Sequence, residues 1–543
     1  MRSDRAPANL TALACLVLLA LTVPGWSLAD ERLRLVGGPF EIRSAFTDFN
    51  PHYLALSRSR DSGSFVAVWD ESPIGFWTVR ARRFGPSGLP LDSAPLEVTP
   101  AGTTFVYAPA QVASDAAGGF VVAWSGRVGN DPWNIWGRWY SPTGAPASAE
   151  RRMNAPTSAL LDEPTVAMAA DGRSVAAWTD WTNGGVWFQS YDPAGDTLLA
   201  GDHPLPIEGV GAYDFFEPTV SIDPGSGTFV VVRRTRQGPS PADPACTNFR
   251  FGVDLVGQLF SESGEPIGTP FYPLPPQPGA YRLPLVSLAP LGNGEFVAAW
   301  ALGNCFGSAT VAPTARVIHA DGTLSAPFPL SSSGVRPSVA ADAQGRFAAA
   351  WSGAAGSLVR RFERNGAPLG EEVLAVPMDA TGSAGAPLLA SDGAGRLVVA
   401  WQTSRDVPTP YGTANEHRFL GQLLAPDTVR RVSIDIRPGS PTNPINLGSN
   451  GVVPVAIRSA EGFDAASVDP TTVSLASAQV KLRGNGTPMA SRVDVDGDGL
   501  EDLVVQVSTS ALVLAASDTT ATLEGSTYDG QRIEGTDAVR VVQ

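Results

Sequence analysis

A segment ending in tryptophan returns at intervals of roughly 55 residues along most of this chain, and no other feature restricts the fold as much. It opens on a Pro-led apolar run, passes an Asp/Gly turn and closes on a second apolar run. Clear copies are residues 109–124 (PAQVASDAAGGFVVAW), 337–351 (PSVAADAQGRFAAAW) and 387–401 (PLLASDGAGRLVVAW). Aligning on the last position gives Trp69, Trp124, Trp178, Val232, Trp300, Trp351 and Trp401, seven copies with the fourth degenerate. Each continues into a third run and a Gly turn, as in residues 135–144 (IWGRWYSPTG) and 255–264 (LVGQLFSESG). Most close on a fourth short run, such as 95–98 (PLEV) or 371–376 (EEVLAV). Four strands of about 5 residues with their turns fill such a period. A unit of this size cannot bury its own faces, so the copies must stack on one another. The repeat therefore predicts an all-β chain built as a seven-bladed β-propeller.

The ends of the array predict how it closes. The seventh copy lacks a clear fourth run before the pattern changes near residue 430. An orphan run, residues 39–43 (PFEIR), precedes the first copy and matches the fourth-run pattern. Placing it beside the seventh copy completes that blade and leaves no unpaired edge.

Composition agrees with short strands and many turns: 57 Gly and 47 Pro among 543 residues, with 43% apolar residues. A formal charge of −15 argues against nucleic acid as a partner, because phosphate binding needs clustered Lys and Arg. The first residues read as a secretory signal. Arg2 and Arg5 precede an apolar stretch at 10–23, and Ser27-Leu28-Ala29 is a small-x-small site cut after Ala29. That stretch is too short for a membrane span, and no later segment could cross a membrane. The expected product is an exported monomer, extracellular or periplasmic. It keeps two cysteines, Cys246 and Cys305, in equivalent loops of adjacent copies. In an oxidising compartment they are a disulfide candidate, contributing about 2–4 kcal/mol if formed.

Columns that recur in every copy belong to the scaffold, and columns that differ hold whatever is specific. Arg82, Arg138, Gln189, Gln258, Arg316, Arg360 and Gln422 occupy one position of the third run. A ligand site occurs once, so seven donors in register read as bridges within or between blades. The repeated Trp is a packing residue. The loops joining the second and third runs vary instead. They offer Asp70, Glu71 and Trp77 in the first copy, Arg127, Asp131 and Trp133 in the second, and Asp180 and Trp181 in the third. The seventh adds Arg405, Asp406 and Tyr411. Aromatics beside carboxylates and arginines on one face suit a glycan or an extracellular protein, although the same aromatics could simply cover blade edges. No catalytic signature emerges. His52, His203, His319 and His417 fall in unrelated contexts without metal-ligand spacing. Asp70, Asp131 and Asp180 could pair for glycoside cleavage, but solvated surface acids are the commoner case.

The last segment carries different marks. Residues 432–457 read VSIDIRPGSPTNPINLGSNGVVPVAI, and the chain closes on GQRIEGTDAVRVV. These runs resemble a C-terminal domain of secreted bacterial and archaeal proteins marked by I-D-I-K-P-G-S, G-V-x-P-V-A-I and G-T-D-x-V, with Arg437 in place of the Lys. Short β-rich runs at 452–457, 502–507 and 521–524 predict a β-sandwich. Within it, Asp494, Asp496, Asp498 and Asp502 stand at positions 1, 3, 5 and 9 of a loop. Gly499 follows at the turn, and Leu500 can offer a carbonyl at position 7. This spacing curls oxygens around one hard cation, Ca²⁺. The loop is similar to those of dockerins, FG-GAP repeats and thrombospondin type 3 repeats, but Val505 stands where an EF-hand has Glu.

The expected organisation is a signal peptide at 1–29, a propeller at 30–428 and a calcium-binding β-sandwich at 429–543. The leading expectation for function is extracellular binding with the propeller face as ligand platform. A carbohydrate-active enzyme and a structural surface or matrix component are the alternatives.

Overall fold

The computed structural model describes residues 32–542 apart from 48–52, 72–76, 100–104, 107–109, 128–131, 206–216, 240–250, 275–280, 283–285, 305–309, 379–385, 410–411, 428 and 529. The chain is all-β. Among the described residues its helical turns are two short 3₁₀ segments, Ala465–Ser467 and Thr509–Ala511.

Each Trp-ended repeat becomes one antiparallel sheet, and residues 33–426 form seven of them. The first is typical: Leu54–Arg58, Phe65–Glu71, Thr78–Phe84 and Leu96–Glu97 lie side by side in chain order. Strands pair with their sequence neighbours because the turns between them are tight. The glycine closing the third-to-fourth turn shows why: Gly88, Gly144, Gly264 and Gly366 all have φ between 81° and 86°, a region that favours residues without a Cβ. Where the second strand starts and the third ends, aromatic pairs stack across the ladder. Phe65 meets Phe84 with centroids 4.8 Å apart, Phe120 meets Tyr140 at 4.6 Å, and Phe347 meets Phe362 at 5.1 Å.

The first strands depart from a simple pattern. In the second and fifth sheets that strand has two segments, Phe105–Val106 with Gln111–Ser114 and Tyr281–Arg282 with Ser287–Gly292, both pieces pairing with the same second strand. In the third and sixth sheets it runs on but bulges, with register shifts between Asp162 and Thr165 and between Val335 and Ser338. Pro164 and Pro337 stand inside those shifts. A proline has no N–H for the ladder, so the strand must kink there.

No single core holds the seven sheets. Their apolar residues divide into separate buried clusters, each shared by two neighbouring sheets. The last joins the seventh to the first, through Phe419, Val398 and Ala400 against Phe65, Ala67 and Trp69. The repeated tryptophans sit inside these clusters, from 0% exposed at Trp124 and Trp351 to 4% at Trp401. Trp124 and Trp351 leave the indole N–H without a partner, a cost of about 1–3 kcal/mol. Burying about 150–250 Å² per ring is worth about 4–6 kcal/mol at 25 cal/mol per Å², so packing outweighs the lost bond.

The sheets close into a ring. Each first strand contacts the next, and Leu388–Ser391 of the seventh contacts Leu54–Arg58 of the first. Hydrogen bonds between neighbouring first-to-second turns repeat this order. Asp61 N donates to Ala116 O, Ala116 N to Ala170 O, and Ala170 N to Pro224 O. Gly294 N reaches Asp223 Oδ2 at 2.7 Å, and Arg364 Nη2, from the third-to-fourth turn of the sixth sheet, reaches Leu291 O at 2.7 Å. Ala343 N donates to Gly393 O, and Gly393 N to Arg60 O at 2.7 Å.

The orphan run lies in Leu33–Thr47, which pairs antiparallel with Gly412–Pro426, the third strand of the seventh sheet. Phe40 falls opposite Gly421. The fourth sheet makes the same pairing within one repeat, Phe271 opposite Gly257. In each case the ring covers a glycine where a Cβ would have no room: 2.4 Å from Phe40 Cζ and 2.5 Å from Phe271 Cε2. The recurring donor column does bridge strands. Gln422 Nε2 donates to Val36 O and Gly37 O, Gln258 Nε2 to Ile267 O, Arg360 Nε to Gly370 O, and Arg138 Nη1 to Val98 O of the preceding sheet.

Residues 429–542 build a separate core between two sheets. One contains Ile434–Ile436, Val452–Ile457, Ala490–Val493 and Asp502–Ser508; the other contains Val429–Arg431, Val468–Leu475, Ala478–Gln479, Thr520–Thr527 and Arg532–Ala538. The motifs of this segment, distant in sequence, meet at Asp537. Its Oδ2 accepts Ile436 N at 2.8 Å and Asn443 Nδ2 at 2.9 Å, so the closing G-T-D latches both halves of the opening motif.

Removing residues 30–45 should lower Tm sharply, because it strips the seventh sheet of its outer strand. Gly421→Val should do so as well, by driving a side chain into the Phe40 ring, at a cost of about 1–3 kcal/mol. Thermal denaturation that leaves both variants at the wild-type Tm would rule out this closure.

Candidate functional site

The aspartate loop connects Ala490–Val493 to Asp502–Ser508. Asp494, Asp496 and Asp502 bring carboxylate oxygens within 4.8 Å of one another. Calcium binds oxygen at about 2.3–2.6 Å, so ligand oxygens on one ion lie up to about 5 Å apart, and the three fit one ion. The loop is shaped by its own amides. Asp494 accepts Gly497 N at 2.7 Å and Gly499 N at 3.0 Å, and these N–H groups hold its carboxyl below the usual range. Asp502, 1% exposed, is fixed by Ser459 N and Val495 N. Asp498 stands outside the cluster, with Oδ1 accepting Leu500 N at 2.8 Å. Arg458 Nε lies 3.6 Å from Asp496 Oδ2 and supplies one opposing charge.

The loops joining second and third strands lie at the opposite end of each sheet from the first-to-second turns. Two of their acids are buried, not solvated. Asp70 is 4% exposed and accepts Tyr53 N at 2.8 Å. Asp180 is 5% exposed and accepts Thr182 N, Asn183 N and Asn183 Nδ2. A short loop leaves amides that need an acceptor, and Asp180 supplies it, while Asp70 takes an amide from the segment before the first strand. Glu71 joins the seventh sheet's outer strand to the first sheet, 3.0 Å from Arg43 Nη2 and 2.8 Å from Arg80 Nε. The aromatics keep some surface: Trp77 and Trp133 are half-buried, and Trp181 is 37% exposed. Arg127 stacks on Trp133 with its guanidinium carbon 5.3 Å from the ring centroid. In backbone register Arg405 and Asp406 stand opposite Glu416 and Asn415 of the neighbouring strand of the seventh sheet. Residues 1–31, Asp131, Tyr411, Cys246 and Cys305 lie outside the described residues.

A group of charges that sequence reasoning passed over lies on the third and fourth sheets. Asp162 and Glu163 precede Pro164, and Glu217 precedes Pro218. Glu163 accepts Thr179 Oγ1 at 2.8 Å and Glu217 N at 3.1 Å, while Glu217 pairs with the buried Arg234. Glu163 and Glu217 hold φ of 54° and 25°, a strained region for residues with a Cβ, costing about 1–3 kcal/mol each. Burial raises the Glu163 carboxyl above its ordinary range, and the charges of Glu217 and Asp162 raise it further. Burial also raises Asp162. The signal was present in the sequence: Glu-Pro-Thr-Val occurs in both copies, at 163–166 and 217–220. The proline marks a strand in every copy, and only the residue before it sets these two copies apart.

No family model matches the chain, and no curated protein matches it. Among solved structures, a protein of unknown function from Dyadobacter fermentans aligns at 12% identity with a TM-score of 0.38, over 60% of this chain and 98% of that one. An α-L-arabinofuranosidase from Fusarium graminearum aligns at 12% identity and TM-score 0.35, over 70% of this chain and 98% of that one. An α-L-arabinanase from Penicillium chrysogenum aligns at 12% and 0.36, over 70% and 98%. At these values none of them bears on what this chain does. Among the described residues no helix is long and apolar enough to cross a membrane.

Glu163 predicts a pH effect. Its folded pKa is raised, so between the unfolded and folded values the folded chain holds a proton that the unfolded chain has lost. Stability therefore falls as pH rises through that window. Glu163→Gln should shrink the fall in Tm between about pH 4 and pH 7. Calorimetry showing the same fall in both proteins would remove Glu163 as a contributor.

Proposed function

We propose that the chain is an exported binding protein: a seven-bladed β-propeller over residues 30–428 and a calcium-stabilised β-sandwich over 429–543. The ring contacts of the seven sheets support the first part, and the single core shared by two sheets supports the second. The ligand platform is the face carrying the second-to-third loops. Trp77, Trp133 and Trp181 carry this reading, since they stand at the same end of three consecutive sheets and keep exposed aromatic surface. Flat apolar rings beside Arg127 suit a sugar face or an extracellular protein segment. The burial of Asp70 and Asp180 favours binding at these loops over hydrolysis there.

Hydrolysis has one specific support elsewhere. A Glu163 carboxyl raised above its ordinary range by burial beside Glu217 is the kind of pairing that lets one group act as acid and its neighbour as base. A glycan array followed by a hydrolysis assay on each hit separates the two readings. Binding that Trp181→Ala weakens about tenfold, without turnover, supports the platform. Turnover abolished by Glu163→Gln supports the enzyme.

The proposed cation at Asp494, Asp496 and Asp502 is Ca²⁺, with an affinity of about 10⁻⁴–10⁻³ M as in extracellular modules. Calcium should raise the Tm of the C-terminal transition, and Asp496→Ala should cancel the rise. Asp496 is the informative position because Asp502 also holds two backbone amides, so its loss destabilises the fold without any ion. A transition that ignores millimolar calcium would refute the site.

A further inference from the structure

The ring and the C-terminal unit are joined almost without a linker. Gly412–Pro426 ends the seventh sheet and Val429–Arg431 already belongs to the C-terminal sheets, so two residues separate the two strands. Such a joint lets the flanking Cα atoms stand about 11 Å apart at most. Leu424 pairs with Leu397, the first residue of the second strand, and Pro426 lies beyond it. The chain therefore leaves the ring at the end that carries the first-to-second turns, away from the tryptophan loops.

Asp427 stands at this joint and meets both ends of the chain. Its N–H donates to Arg32 O, just ahead of the closing strand Leu33–Thr47. Its Oδ1 lies 3.9 Å from Arg34 Nε of that strand, and its Oδ2 lies 3.3 Å from Arg532 Nη1 of the C-terminal unit. One carboxylate thus draws together a guanidinium from the start of the chain and one from its last segment. Gly530 makes the approach closer still. Its φ is 85°, and a Cβ there would fall 2.6 Å from Arg34 Nη2. A side chain at that position would push the guanidinium aside.

Neither side of this contact is loose. The turn that carries Gly530 is tied into its own sheets: Gly530 N donates to Thr527 O, Thr527 N to Gln531 O, and Tyr528 N to Ser467 O. Arg532 opens a strand that pairs in parallel with Val429–Arg431, and Val432 N donates to Glu534 O. On the ring side, the sixth sheet's outer strand, Pro368–Pro377, lies against Arg32: a Cβ at Gly370 would fall 3.2 Å from Arg32 Cα. The start of the closing strand is therefore held between the sixth sheet and the C-terminal unit. Chain ends open first, because few contacts hold them. A lone ion pair at the surface would hold such an end weakly. Here a shared carboxylate, a backbone bond and a close-packed turn act on one short segment.

We propose that the C-terminal unit is the clasp of the ring. Through Asp427, Arg532 and Gly530 it pins the start of the closing strand, and the strand is released when that unit unfolds. Ring closure then depends on the last segment of the chain as well as on the first. The clasp is independent of the loop platform and of the cation loop.

Hydrogen–deuterium exchange on the full chain tests this, read at residues 33–47 and at 502–508 in the C-terminal core. Asp427→Ala should speed exchange at 33–47 about three- to tenfold and leave 502–508 as in the wild type. Gly530→Ala, which displaces the Arg34 guanidinium, should act in the same direction. Arg431→Gln removes an ion pair with Glu534 inside the C-terminal unit and should leave 33–47 unchanged. Rates at 33–47 within about twofold of wild type in both Asp427→Ala and Gly530→Ala would overturn the proposal, as would acceleration shared equally by 502–508. Exchange of the wild type in rising denaturant decides the matter even if a variant does not fold. Loss of protection at 33–47 in step with 502–508, ahead of the second to fifth sheets, supports the clasp. Protection at 33–47 that survives unfolding of the C-terminal unit overturns it.

Discussion

The pairing of Leu33–Thr47 with Gly412–Pro426 is the interaction on which the rest of the ring depends. Every buried cluster of residues 33–426 lies between two neighbouring sheets, so each sheet needs partners on both faces. An open array would leave two sheets half-covered and expose edges open to aggregation. The N-terminal strand removes that problem by bringing the start of the chain to its seventh repeat. Gln422 makes the link directly, bonding to Val36 and Gly37 across 386 and 385 residues. Bringing such distant segments together carries an entropic cost that grows only slowly with separation, while the ladder and the cluster around Phe40, Phe65 and Phe419 are gained at once.

Repetition also separates scaffold from singularity. The donor column, the turn glycines and the stacked aromatic pairs recur because each sheet has the same geometric needs. The Glu163–Glu217 pair is confined to two sheets and the Trp-bearing loops to three, and no such need accounts for them. Burial marks the difference for acids too. Asp342 and Asp392 recur in first-to-second turns, where they cap amides and hold arginines. Asp70 and Asp180 do similar work at the other end of their sheets.

Much of the fold was legible before any coordinates. The repeat marked the sheets and their strand order, and the PFEIR run pointed to the closing strand. The aspartate spacing marked a loop whose Asp494, Asp496 and Asp502 carboxylates come together, because a loop that short dictates where its oxygens go. What was misread shares one cause. The acids of the second-to-third loops looked solvated because they lie in polar loops, yet backbone amides draw two of them inside, Asp180 those of its own loop and Asp70 that of Tyr53.

The sequence by itself determined the number of units, the order of strands within each and the residues that pack them. These follow from local periodicity, which acts over a few residues and repeats. Only the tertiary structure decided which charges face one another. An axial cavity draws its wall from residues 56 to 392, and the Glu163 environment joins two sheets. Such groups meet because the ring has closed, and closure is a property of the whole chain that no single repeat encodes.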